Sequence, residues 1–379
     1  MDDSYFGILL HWTRSAGIGG AIKQKLEDFV VEEVADEIPA GKGYVAFLVE
    51  KRGLDTFETI QKISRALRVN RRAIAYAGLK DRYAVTRQWM SVAGVSEASV
   101  QQLDIPGVAI LKTKSVEDGV HLGGLVGNRF TVTIRGITLG EKETNVRLSG
   151  LVDEIAERGV PNFFGPQRFG QNRPITHAVG KKIIQGDFDG AVFNYLTLDA
   201  EGETANVREA RRRLSEEKDF KSALGYFPRG LTYERMLLTV LSDGDGSIKA
   251  LRALPAGLNR LFVDAYQSYL FNLSLSRFLQ NNDSVENFPA PVVGYKTLLS
   301  SKEFDVVVAG VLEAEGVSEE NFFIPRVPEL SAKGTLRSAM IYPNIAFSAS
   351  QGSAKLTFEL KKGSYATVVL REIMNIVPP

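Results

Sequence analysis

Residues 76–89 read Tyr-Ala-Gly-Leu-Lys-Asp-Arg-Tyr-Ala-Val-Thr-Arg-Gln-Trp. A turn at Gly78 delivers the chain to a single acid, Asp81, between Lys80 and Arg82. The alternation from Val85 to Met90 then reads as a strand that would hold the acid rigidly. Cations on both sides favour the ionised carboxylate. The local pattern leaves two readings open, a loop ion pair or a reacting acid.

Upstream of this stretch, Phe29 to Val34 is a β-rich run, and Tyr44 to Val49 supplies a second strand after a turn through Pro39, Gly41 and Gly43. Antiparallel pairing of these two is the simplest topology. Asp55 and Glu58 have capping-box spacing, and Ile60, Ile63 and Leu67 follow at helical intervals, which predicts an amphipathic helix over 56–69 with Lys62, Arg65 and Arg68 on its other face. Asn70 can cap a short second helix that leads to Gly78. Downstream, a glycine-rich turn in 121–127 precedes a half-buried strand from Asn128, with Phe130, Val132 and Ile134 alternating. A helix over 145–158 ends at Gly159 and Pro161.

From Pro161 to about Gly334 the composition shifts toward helix, with candidates at 176–185, 187–197, 205–216, 231–240, 247–253 and 258–280. Lys355 to Leu360 alternates again, and Ser364 to Leu370, rich in small and β-branched residues, reads as further strand. The pattern is an α+β fold in a discontinuous domain, 1–160 with 335–379, interrupted by a helix-rich insertion at 161–334.

Composition excludes several function classes. The chain has 379 residues, 44% hydrophobic and 24% charged, enough for two cores and far from the disordered range. Its formal net charge of +1 points to no polyanion, yet residues 51–90 carry ten Lys or Arg against Asp55, Glu58 and Asp81, so a basic face on a neutral whole is expected. With no cysteine there is no disulfide, thiol nucleophile or thiolate metal site. His11, His121 and His177 stand far apart and read as ordinary surface or core histidines. No apolar run approaches the ~18 residues of a membrane span, and the acidic start is unlike a signal peptide. A cytoplasmic protein without membrane contact is expected.

Nucleotide and metal motifs fail on inspection. Gly17, Gly19 and Gly20 follow no strand, and Ile22 stands where a dinucleotide loop needs its third glycine. Asp243-Gly-Asp245 opens like a calcium loop but lacks the later glycine and glutamate, so it reads as a turn. What remains are clusters of aromatic, amide and basic residues: Lys23 with Asp28 and Phe29; Lys80-Asp81-Arg82; Asn128-Arg129-Phe130; Asn162 to Gly170; and Gly363 to Thr367. Recognition of an unstacked nucleobase needs a ring to stack on, an amide for its edge and cations for phosphate. Each cluster alone reads first as a core aromatic with a charged rim, since Phe and Tyr are common core residues.

Taken as an ordered set, the clusters resemble a family. Gly78-Leu-Lys-Asp-Arg-Tyr-Ala-Val-Thr-Arg-Gln88 is similar to the signature of the TruD family of tRNA pseudouridine synthases, and Lys23 to Glu33 resembles its Lys-x-x-x-x-Asp-Phe-x-Val-x-Glu motif. Gly127 to Phe130, Val160 to Gly170, Ala265 to Asn272 and Gly363 to Glu372 recur in the same order, so the resemblance runs from about residue 20 to about 375. It implies a pseudouridine-synthase catalytic domain with a mixed, mostly antiparallel sheet and an inserted TRUD domain. It implies an RNA isomerase that uses no cofactor and no metal, with tRNA as partner and the uridine at position 13 of the D arm as the usual target. By their places in the motifs, Asp81 would be the catalytic carboxylate, as nucleophile or as base at C2′, and Lys23 its partner. Phe29, Asn128, Phe130 and Tyr365 would contact the target nucleotide, Phe130 by stacking. Lys80, Arg82, Asn162, Gln167 and Arg168 would position RNA or support the fold. A non-catalytic RNA-binding or RNA-folding protein, using a basic, aromatic cleft built from these same residues, is the alternative. The oligomeric state is left open.

Overall fold

The structure is a computed structural model that describes residues 3–36, 38–170, 173–200 and 202–375; the acidic start lies partly outside them. The chain folds as two compact units, residues 13–160 with 342–379, and residues 1–12 with 161–341.

The first unit is built on an eight-stranded mixed sheet. Its strands are β1 (Phe29–Val34), β2 (Ala40–Arg52), β3 (Ile74–Tyr76), β4 (Val85–Ala93), β5 (Val108–Val116), β6 (Gly127–Arg135), Ala346–Ser350 and Ser353–Lys361. Their order is 346–350, 353–361, β6, β1, β4, β2, β5, with β3 also on β4. Every pair is antiparallel except β1 with β4, where Val30 lies against Val85 and Glu32 against Arg87. The expected β1–β2 hairpin is therefore absent. β4 lies between the two arms, antiparallel to β2 along its length, while β1 and β3 share its other edge. The reason is burial: most of β4 is shielded on both faces, so it needs a partner on each side.

Local signals produced their elements. The helix α1 (Thr56–Leu67) starts where Asp55 Oδ1 accepts from Glu58 N at 2.8 Å and Glu58 Oε2 accepts from Asp55 N at 3.0 Å. Asn70 Oδ1 accepts from Arg72 N and opens the short turn Arg71–Ala73. From α1, Ile60 and Ile63 pack on Val45, Phe47, Val49, Met90 and Val92, one face of β2 and β4. Gly17 is explained by close approach: a Cβ there would lie 2.1 Å from the carbonyl oxygen of Asn375, which accepts from Gly17 N.

The C-terminal strand expected at 364–370 is instead a helix, Ala366–Met374. Its β-branched residues are overridden by burial, since Ala366, Val369, Leu370 and Ile373 fall on one helical stripe and are all covered.

The second unit is helical. The helix Ala256–Gln280 runs through it with sixteen buried residues, and Thr176–Ile184 packs on it so closely that a Cβ at Gly180 would lie 2.0 Å from Phe262 O. Two of its helices lie outside the expected set. Phe220–Tyr226 is short, and Glu303–Glu315 is rich in valine, although Phe304, Val308, Val311 and Leu312 recur at helical spacing. His177 is a core histidine, stacked on Tyr269 at 5.2 Å, and burial alone takes its pKa down to about 4.

The expected boundaries shift at two places. Residues 1–12 belong to the helical unit because Asn272 Nδ2 donates to Phe6 O at 2.9 Å and Ser276 Oγ to Gly7 O at 2.8 Å. Residues 335–341 belong there because Thr335–Ser338 pairs with Pro289–Val292.

In the sheet, a Cβ at Gly127 would lie 2.3 Å from the carbonyl oxygen of Leu360 on the neighbouring strand. Gly127→Ala must push that strand away beside Asn128, and we expect it to cost about 1–3 kcal/mol in urea unfolding. An unchanged midpoint would show that the strand pair yields freely.

Candidate functional site

The sheet order determines where the charged residues meet. Because β1 runs parallel to β4 and β2 antiparallel to it, the entry to β1, the exit from β2 and the entry to β4 lie at one end of the sheet. Lys23 comes shortly before β1, Lys51 near the end of β2, and Asp81 on the loop 77–84 that leads into β4. The pairings also place Asn128 opposite Glu33, Phe130 opposite Val31 and Thr86 opposite Lys51 on one sheet face. The loop lies over that face, since Gln88 Nε2 donates to Gly78 O at 3.0 Å and Lys80 Nζ reaches Glu33. The other face carries Glu32, Arg87 and Glu50 as a cross-strand charge row.

Asp81 is the centre of this arrangement. Its Oδ2 accepts from Lys23 Nζ at 2.7 Å, with the two side chains 39% and 19% exposed. The same ammonium stands 4.3 Å from the centroid of the Phe29 ring. Lys23 has φ +57°, a left-handed conformation unusual for a residue with a side chain, so the backbone carries local strain at the residue that grips Asp81. Of the carboxylate oxygens, Oδ2 alone is engaged among the described residues.

Behind Asp81 the backbone is fastened by a residue outside the expected site set. Lys51 is fully buried, and its Nζ donates to Leu54 O at 2.6 Å, Asp81 O at 2.6 Å and Lys80 O at 3.3 Å. Burial lowers its pKa to about 8, opposed by the nearby negative charge of Asp81, then of Asp55. The sequence does hold a signal for it: Lys51 continues the inward series Val45, Phe47, Val49 at period two, an inward position for a lysine.

Lys80, expected to face RNA, turns inward. Its Nζ lies 3.0 Å from Glu33 Oε2, an ion pair not aligned as a hydrogen bond, with the side chains 5% and 0% exposed. Its backbone N donates to Thr56 Oγ1 at 3.0 Å, so this residue ties the loop to α1 and β1. Arg82 points outward, 65% exposed, with Glu58 at 3.3 Å. Tyr83, also outside the expected set, presents a half-exposed ring two residues from Asp81, its hydroxyl donating to Gln24 O at 3.3 Å.

Phe29 and Phe130 meet edge to face at 6.1 Å, and Phe130 stacks on Phe358 at 5.6 Å. Both rings are buried, so they floor the site and do not offer an open stacking face. Asn128 Oδ1 is buried without a hydrogen-bond partner among the described residues. Tyr365 precedes the helix Ala366–Met374, four residues beyond Lys361, which lies opposite Gly127. The glycine turn is tied in by Gly123 N donating to Ala77 O and Lys362 Nζ to Gly123 O. Asn162, Gln167 and Arg168 lie in the helical unit. Asn162 is buried and bonded to Ser338 O and Arg337, Arg168 Nε donates to Ser268 Oγ, and Gln167 is exposed on the turn Pro166–Phe169.

The family model "tRNA pseudouridine synthase D (TruD)" matches residues 5–289 and 283–373. The chain belongs to the TruD family. Its TruD relatives include a tRNA pseudouridine synthase D of Syntrophotalea carbinolica, 34% identical over 95% of this chain and 97% of the relative. A "Probable tRNA pseudouridine synthase D" of Methanopyrus kandleri is 38% identical over 88% and 86%. A crystal structure from Methanosarcina mazei, described as a TruD protein, superposes with a TM-score of 0.84 at 33% identity, covering 98% of this chain and 97% of that one. Among the described residues, no group of His, Asp and Glu is arranged to hold a metal ion, and no helix is long and apolar enough to cross a membrane.

The Lys80–Glu33 pair gives a stability test. Lys80→Met strands a buried carboxylate and should cost about 3–5 kcal/mol in urea unfolding, whereas Lys80→Met with Glu33→Leu should recover most of it. Equal losses in the single and double variants would show that the pair is not coupled.

Proposed function

We propose that the chain isomerises uridine to pseudouridine in tRNA, with the uridine at position 13 of the D arm as target and Asp81 as the reacting carboxylate. The observation that carries this reading is the Asp81 carboxylate itself, half-exposed, gripped by Lys23 on one oxygen and set on a loop fastened from beneath. The reaction breaks the bond from N1 to C1′, turns the base and joins C5 to C1′. The C5 proton is lost and N1 gains one, so substrate and product are isomers. An ionised carboxylate serves by attacking C1′ or by removing the C2′ proton, and both roles require a fixed, charged oxygen.

The surroundings suit a flipped-out uridine. On this reading the side-chain amide of Asn128, whose Oδ1 has no hydrogen bond among the described residues, addresses the uracil edge once the base displaces what covers it. On this reading Phe29 and Phe130 are the apolar floor, and Tyr83, half-exposed, and Tyr365, partly buried, are assigned as aromatic neighbours of the base. For the phosphates, Arg65, Arg68, Arg71 and Arg72 are all exposed, and none has an ion pair among the described residues. We place the enzyme in the cytoplasm, where tRNA is its partner.

Mapping pseudouridine on an unmodified tRNA transcript tests the reading. Asp81→Asn should lower product formation by about 10²–10⁴-fold while tRNA binding persists. Reversing the four arginines should weaken binding and flatten its salt dependence by roughly one unit of slope for each phosphate that is no longer neutralised. Undiminished product from Asp81→Asn would remove that residue from the chemistry, and product at another uridine would move the target.

A further inference from the structure

We propose that Lys51 is a positioning residue of the reaction, an ammonium caged by backbone carbonyls that holds the Asp81 backbone at the height from which the carboxylate reacts. The proposal rests on the reading of Asp81 as the reacting group.

An ammonium has three N–H donors and no acceptor. Lys51 directs all three at main-chain oxygens: Leu54 O just beyond β2, and Lys80 O and Asp81 O on the loop. It has no ion pair among the described residues, and none of its side chain is exposed. A surface lysine would turn its charge to a carboxylate or to water. Here the charge meets three carbonyl dipoles, two of them consecutive at the residue that carries the carboxylate. Lys23 holds the side chain of Asp81 and Lys51 its backbone, so the two lysines fix different atoms of one residue. A displacement of about 1 Å in such a group costs about 10²-fold in rate.

The charged groups around Lys51 are Asp81, Asp55 and Glu58, which favour the ammonium, and Lys80, which opposes it; burial outweighs them and the pKa falls to about 8. Above that pH the amine keeps two N–H donors for three carbonyls, so the cage loses one hydrogen bond; the longest of the three, at 3.3 Å, is the one to Lys80 O on the loop. Stability moves the other way. Because the folded pKa lies below the ordinary 10.5, the folded chain binds fewer protons than the unfolded chain between about 8 and 10.5, so this group's contribution to stability rises with pH across that window. A lysine that merely supported the fold would move turnover and stability together.

The test is the pH dependence of kcat and KM from about pH 7 to about pH 9.5 on an unmodified tRNA transcript, for the wild type, Lys51→Met, Lys51→Arg and Asp81→Asn. The wild type should lose kcat with an apparent pKa near 8 while KM stays within about twofold and the melting temperature does not drop in step. Lys51→Met should lower kcat by about 10²-fold without that falling limb, and any limb common to both belongs to the substrate. Lys51→Arg, charged throughout, should also lack the limb and retain more activity than Lys51→Met. Wild-type kcat in Lys51→Met, or the same pH profile in both, would overturn the proposal. Should Lys51→Met not fold, hydrogen exchange in the wild type decides: amides 79–84, corrected for intrinsic rates, should lose protection relative to β4 above about pH 8, and unchanged protection would overturn it. Failure of the Asp81 reading looks different, because Asp81→Asn would then turn over like the wild type.

Discussion

The parallel pairing of β1 with β4 is the constraint on which the site depends. A simple hairpin of β1 and β2 would bring the start of one beside the end of the other, with nothing between them. Placing β4 between the arms inserts its own entry loop into that gap, and Asp81 rides on this loop. Lys23 then approaches from the β1 side and Lys51 from the β2 side. The arrangement needs a central strand that is buried yet keeps polar groups turned to the loop, and β4 supplies Thr86 and Gln88 on that face. Its remaining inward residues, Met90 and Val92, serve the apolar core under α1.

Four basic residues around the loop look alike in sequence and differ in environment. Lys23 meets a carboxylate, Lys51 meets only carbonyls, Lys80 meets a buried glutamate and Arg82 meets a partly exposed one. The difference follows from burial. A charge near water can pair loosely and is worth little there, whereas a buried charge has to be fully satisfied where it sits. Lys80 and Lys51 are therefore structural in contact, whatever they contribute to the chemistry, and the cations facing solvent include Arg82 and the arginines from 65 to 72.

Local chemistry was legible and long-range pairing was not. The Asp55–Glu58 capping box, the Asn70 cap and the run Phe29–Val34 each depend on a few neighbouring residues, and each appears at the expected residues. The position of β4 between β1 and β2 depends on which strand buries which face, and no short window contains that information. The same holds for Phe6, whose carbonyl meets Asn272 across 266 positions of sequence. At 364–370 the small and β-branched residues argued for a strand, and burial of one face made 366–374 a helix instead. Of the site, only the family resemblance put Lys23 beside Asp81; in the structure Lys23 Nζ lies 2.7 Å from Asp81 Oδ2. Lys51 carried only the alternation of β2, and Lys80 carried no signal that it would turn inward.

The two lysines that hold Asp81 also differ in how they respond to a substrate. Lys23 is partly exposed, so a base that enters and excludes water lowers the local dielectric and strengthens its attraction to Asp81. Lys51 is already dry, and its carbonyl cage is complete before anything binds. One interaction therefore tightens on binding while the other is established in folding. On the proposed function, that division suits an enzyme whose acid stands half-open to solvent: the backbone of Asp81 is set in advance, and the electrostatics of its carboxylate are completed by the arrival of the nucleotide.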